Sequence, residues 1–97
     1  MEVEVAANVF KELGHPVRLT IFKLLVKAGY DGLPVGEIQE QLSIPDSTLS
    51  HHISRLISVE LIKQRRDGRT LYCIPQYGLL NSLIIYLNKE CCIDQKH

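Results

Sequence analysis

No apolar run in this 97-residue chain approaches the ~18 residues a membrane span requires, and no basic-then-apolar leader opens it. A cytoplasmic protein with no membrane partner is therefore expected. Cysteine is scarce: Cys73, Cys91 and Cys92 make an odd count, which excludes a secreted disulfide framework and favours free thiols. There are no repeats, low-complexity tracts or linkers, so the length allows one domain spanning 1–97. Net charge is absent too, which argues against a generically basic nucleic-acid binder. No nucleophile–base set or open metal site can be assembled either; Ser50 and His51 are adjacent on a helix and point about 100° apart. The chain is not expected to be an enzyme.

The zero net charge conceals an asymmetry. Residues 1–46 hold four Lys/Arg against seven Asp/Glu, and residues 47–97 hold seven against four. Lys63, Arg65, Arg66 and Arg69 stand together with only Asp67 opposing them. Positive charge is thus concentrated where a phosphate contact would need it. A solvated hairpin of long charged side chains is the plainer explanation of the same residues.

Patterning supplies the elements. Apolar residues at 3, 6, 9/10 and 13 predict a first helix from Val3 to Leu13, ended by Gly14. His15-Pro16 opens a second, running through Leu19, Phe22, Leu25 and Val26 to Ala28, with Gly29 as its stop. His15 reads as a cap or interface residue. A loop over 30–33 leads to a short third helix from Pro34 to Leu42, and Ser43-Ile44-Pro45 forces a turn. A fourth helix begins near Asp46. Its Leu49, Ile53, Leu56 and Ile57 share one sector of the helical wheel. Opposite lie Ser47, His51, Ser54, Arg55 and Ser58, with Thr48 at the margin. His52 falls beside the apolar stripe and is expected to be structural, whereas His51 faces outward.

Two β-prone runs, 61–65 and 70–74, flank Asp67-Gly68, a strong hairpin signal. A last helix is expected over 76–92, with Leu79, Leu80, Leu83, Ile84 and Leu87 on one face and surplus apolar surface at Ile85 and Tyr86. The expected fold is mainly α (α+β), in the order α-α-α-α-β-β-α. Its helix-turn-helix spans 34–59, its wing 61–74 and its dimerisation helix 76–92. In a helix-turn-helix the second helix enters the major groove.

With those elements in place the chain resembles the ArsR family of bacterial metal- and thiol-sensing repressors. The resemblance rests on Glu12-Leu-Gly-His-Pro-Val-Arg-Leu-Thr-Ile21, Leu33-Pro-Val-Gly-Glu-Ile38, Ser47-Thr-Leu-Ser-His-His-Ile53, and Arg66-Asp-Gly-Arg69 with Tyr72. It implies a homodimer joined through the first and last helices, binding a double-stranded operator and releasing it when an inducer binds. It implies DNA contacts by Ser47, Thr48, Ser50, His51 and Arg55 on the fourth helix and by Arg65, Arg66 and Arg69 on the wing. The wheel puts Ser50 nearer the flank.

Cys91-Cys92 is the remaining clue. Vicinal thiols suit a soft ion, because two sulfurs close on one centre with little chain entropy lost. Within the family such a pair resembles the branch responsive to arsenic, with Cys91 and Cys92 as ligands. Those sites usually use three thiolates, and no cysteine follows Cys92 here. An organoarsenical, which needs two, therefore fits better than inorganic arsenite; antimony is the other thiophilic candidate. No cofactor is required. Cys73 reads as a plain strand residue. The third helix lacks a cysteine box, residues 76–92 hold neither His nor Asp, and the second helix has no Cys for a persulfide pair. A helix C-terminus disfavours thiolate, which Lys89, Lys96 and His97 would offset. Three other roles stay open: small residues closing a dimer interface, a thiol-redox sensor, and a winged-helix module that binds protein.

Overall fold

The computed structural model describes residues 1–95. Its elements are α1 (Val3–Leu13), α2 (Pro16–Ala28), β1 (Leu33–Pro34), α3 (Val35–Leu42), α4 (Asp46–Ser58), β2 (Ile62–Asp67), β3 (Thr70–Pro75) and α5 (Tyr77–Asn88). This is a winged helix-turn-helix. Two features depart from the order read off the sequence. Pro34 does not begin the third helix; Leu33 and Pro34 form a short edge strand, paired antiparallel with Cys73 and Tyr72. The last helix ends at Asn88, short of the expected 92, and i→i+3 turns follow it.

The edge strand needs a close approach. Gly32 sits at φ +68°, and a Cβ there would lie 1.9 Å from the Cys73 carbonyl oxygen. Only glycine lets the chain meet β3 at that point. The resulting sheet has the order β1-β3-β2, so the wing is anchored at its base on the helical body.

The core is continuous. Ile21 and Leu25 of α2, Ile38 of α3, Leu49 and Leu56 of α4, and Leu61, Ile62 and Cys73 of the wing base are all fully buried. Ile38 and Leu49 together fix the two helices of the helix-turn-helix on one apolar centre. Between them Ser43 takes the left-handed conformation (φ 53°, ψ 44°), and Gln39 Nε2 donates to the Ile44 carbonyl at 3.2 Å, bracing the turn.

The passage from α4 into the wing is a Schellman ending without glycine. Glu60 is left-handed (φ 63°), its N–H donates to Ile57 O at 2.9 Å, and the Leu61 N–H reaches back to Leu56 O at 3.1 Å. Leu56 and Leu61, the residues such a motif brings into apolar contact, are both fully buried. The orientation of the wing relative to α4 is set there.

α5 is different. Leu83 is its one buried residue, while Ile84, Ile85 and Leu87 are 50%, 66% and 65% exposed. Val3 and Val5 of α1 are likewise exposed. No helix among the described residues is long and apolar enough to cross a membrane.

Candidate nucleic-acid interface

α4 presents one face to the core and one to solvent. Leu49, His52, Ile53 and Leu56 are buried; Ser47, Thr48, Ser50, His51, Ser54 and Ser58 are exposed. The solvent face thus carries hydroxyl and imidazole groups, which can donate or accept toward base edges in a major groove. The two adjacent histidines divide as their wheel angles require. His51 is exposed. His52 is buried, and its Nδ1 accepts from Arg18 Nε at 3.1 Å. Burial holds His52 below the usual imidazole range, with the charges of His15, Arg18 and His51 acting in the same direction.

Arg55, expected among the residues facing DNA, is ion-paired with Glu12 on α1 in the unbound protein. Arg55 Nε donates to Glu12 Oε1 at 3.0 Å, and a second guanidinium nitrogen donates to Oε2. The reason is its place on the wheel, between His51 on the open side and His52 on the side facing α1 and α2. The side chain stays 43% exposed, so it occupies the edge of the solvent face without being a free charge.

Glu12 is the residue that sequence reasoning missed. It is buried on the inner side of α1 and is shared by two arginines, because Arg18 donates to Oε1 at 2.9 Å as well. Arg55's hydrogen bond is the chief reason its carboxyl lies below the usual carboxylate range, with the charges of Arg55, Arg18 and Lys11 adding to it; burial opposes them. Arg18 also donates to the Glu12 carbonyl at 3.1 Å. His15 caps α2, accepting from the Val17 N–H at 3.2 Å, and its ring lies 4.6 Å from that of His52. Glu12 and Arg18 both lie in the first motif that carried the resemblance. The available signal was an acid beside Val9 and Leu13 on a helix whose apolar face turns inward.

On the wing the register separates residues that the sequence grouped. Gln64 pairs with Cys73, Arg65 with Tyr72, and Arg66 with Leu71. Facing pairs share a side of the sheet and successive ones alternate, so Arg65 and Arg66 leave opposite faces. Arg65 lies over the Tyr72 ring, 4.9 Å from its centroid. Arg66 is exposed on the other side. Arg69 follows Gly68, whose φ of +62° makes the two-residue tip; positive φ at the first position alone fits a type II′ turn.

Residues 13–65, more than half of the chain, match a family described as a helix-turn-helix domain. The transcriptional repressor SdpR of Bacillus subtilis is 37% identical over 86 residues, covering 84% of this chain and 92% of that protein. The crystal structure of the transcriptional repressor PagR of Bacillus anthracis superposes with a TM-score of 0.72 at 30% identity, covering 89% of this chain and 95% of that one. A homodimeric winged helix-turn-helix domain from Mycobacterium bovis, described as a possible ArsR-family regulator, superposes with a TM-score of 0.70 at 26% identity, covering 98% and 88%. The chain belongs to the ArsR family. Its relatives and its fold are those of DNA-binding transcriptional regulators, not of enzymes.

In this ArsR-family chain the thiol pair lies beyond α5 instead of on it. Cys91 N donates to Asn88 O at 2.9 Å, Ile93 N to Glu90 O at 3.2 Å, and Cys92 is left-handed at φ 63°. Both cysteines are exposed and free, with their sulfurs 3.5 Å apart. Cys91 borders a groove between the start of α1 and the end of α5, lined also by Met1, Val5, Ile85 and Tyr86. Cys73 is elsewhere: buried at the wing base, its sulfur accepts from Gln64 Nε2 at 3.7 Å, and burial pushes its thiol up. Among the described residues no third His, Cys, Asp or Glu joins the pair in a metal-holding group. Lys96 and His97, expected to favour thiolate there, lie outside the described residues.

Proposed function

We propose that this chain is a homodimeric transcriptional repressor. It binds a double-stranded operator through α4 and the wing, and it lets go when a trivalent arsenical or similar thiophilic species bridges Cys91 and Cys92. Ser47, Thr48, Ser50 and His51 read base edges; Arg65, Arg66 and Arg69 meet phosphates. The observation that carries the DNA-binding part is the exposed hydroxyl/imidazole face of α4 beside the wing arginines.

Pairing through α1 and α5 is supported by the exposed Val3, Val5, Ile84, Ile85 and Leu87, a surface that no element among the described residues covers. Dimerisation places two recognition helices in successive major grooves, and their spacing decides whether both engage. A ligand on Cys91 and Cys92 would sit at the mouth of the α1–α5 groove, against this pairing surface. It would therefore alter the spacing without touching DNA.

The thiol part is supported by separation and exposure. The two sulfurs stand 3.5 Å apart, near enough to close together on one soft centre. Two sulfurs without a third favour a monosubstituted arsenical such as phenylarsine oxide over arsenite.

A gel shift with the protein's own upstream region tests the whole reading. The complex should form without additive and dissolve with phenylarsine oxide, and more weakly with arsenite, while Zn²⁺ and Cd²⁺ leave most of it intact. If peroxide alone dissolves it, the thiols act as an oxidant sensor. If nothing does, the two cysteines are structural.

A further inference from the structure

Arg55 lies one turn beyond His51 on α4 and is partly exposed, so on position alone it would join the DNA-facing row. Glu12 takes it out of that row. The carboxylate is buried, so it needs partners on both oxygens. Oε1 has two donors, Arg18 and Arg55, but Oε2 is held by Arg55 alone. Turning Arg55 outward to a phosphate would strand Oε2 in the interior. The phosphate would offer only a solvent-screened contact in return.

Arg18, the other arginine on Glu12, is largely engaged elsewhere. Arg18 already spends Nε on His52 and one terminal nitrogen on the Glu12 carbonyl and Oε1. Its side chain is only 13% exposed. The five side chains Glu12, His15, Arg18, His52 and Arg55 thus join α1, α2 and α4 at one polar junction, and Glu12 is its single anion.

Resting on the DNA-binding reading above, we propose that Glu12 is a positioning residue for operator recognition. It withholds Arg55 from the phosphate backbone and fixes the recognition helix to α1. Operator contact on α4 is thereby left to hydroxyl and imidazole groups, and backbone charge is met from the wing.

The test is the salt dependence of duplex binding, measured by fluorescence anisotropy on a duplex from the protein's own upstream region. Each phosphate-contacting cation adds about 0.9 to the slope of log K against log salt, counted per subunit bound. Arg55→Met, which keeps the aliphatic stem, should leave the slope at the unmodified value. Glu12→Gln should steepen it by about 0.9 per subunit as Arg55 is freed, and the double variant should return it to the unmodified value.

A shallower slope for Arg55→Met means that Arg55 leaves Glu12 for a phosphate in the complex, which overturns the proposal. Weaker binding by Glu12→Gln at an unchanged slope means that Glu12 only supports folding, which overturns it too. Urea unfolding of each variant confirms that folded protein is compared; should Glu12→Gln not fold, the Arg55→Met slope decides alone. If the unmodified protein binds no duplex with salt dependence, the DNA-binding reading fails and this proposal fails with it.

Discussion

Arg55 on α4 is ion-paired with Glu12 on α1 across 43 residues of sequence, and the same carboxylate holds Arg18 at the start of α2. The recognition helix is therefore tied by charge to the first helix, whose exposed valines form half of the proposed pairing surface.

The junction makes stability depend on pH in two separate windows. Glu12 is held below the usual carboxylate range, so its contribution is present above the unfolded value of about 4.3 and is lost as pH falls through the folded one. His52 is held below the usual imidazole range and must stay neutral at Nδ1 to accept from Arg18. Its contribution is complete above about 6.5 and fades as pH falls toward its lower folded value. Urea midpoints measured from about pH 2 to 8 should rise with pH through both windows. His52→Gln, whose amide oxygen can still accept from Arg18, should flatten the upper rise only. A His52→Gln profile identical to the unmodified one would remove His52 from the account.

The wing prediction concerns Arg65 and Tyr72. Arg65→Ala and Arg66→Ala should each lower the salt slope of duplex binding by about 0.9 per subunit. Tyr72→Leu should act only through Arg65, since the ring lies under its guanidinium. A double-mutant cycle for operator binding should give a coupling of about 0.5–1 kcal/mol between the two, the usual worth of an exposed cation–π contact. Zero coupling would show that the ring does not hold Arg65 for DNA.

Association should depend on α5. Ile85→Glu or Leu87→Glu places a charge on each side of the proposed interface and should weaken dimerisation by roughly tenfold to a hundredfold, on the order of 1–3 kcal/mol. Sedimentation velocity at micromolar protein reads this directly. An unmodified protein that sediments as a monomer would contradict the pairing surface.

Much of the fold was legible because its boundaries are written locally. Gly14, His15-Pro16, Gly29 and Pro45 mark helix ends and starts that the structure places at the same residues. The hairpin follows from Asp67-Gly68. The edge strand was not legible, because a two-residue strand has no period of its own and depends on Gly32 meeting the Cys73 carbonyl. Nor was the end of α5, since no glycine or proline follows Asn88 and the break is made by turns through Lys89–Gln95. The exposed face of α4 was readable from the wheel. The pairing of Arg55 was not, because a helical wheel shows which side a residue leaves and not what packs against that side. Likewise, the sequence shows Arg65 beside Arg66, and only the strand register shows that they leave opposite faces.

Binding through α4 and the wing is proposed to be governed by the thiols beyond α5. The most direct test of this is anisotropy of a labelled upstream-region duplex, comparing the unmodified protein with the Cys91→Ser/Cys92→Ser variant as phenylarsine oxide is added. Both proteins should bind the duplex equally at first. The unmodified protein should then release it at about one arsenical per subunit, while the variant stays bound. Release from both proteins, or from neither, would contradict the account.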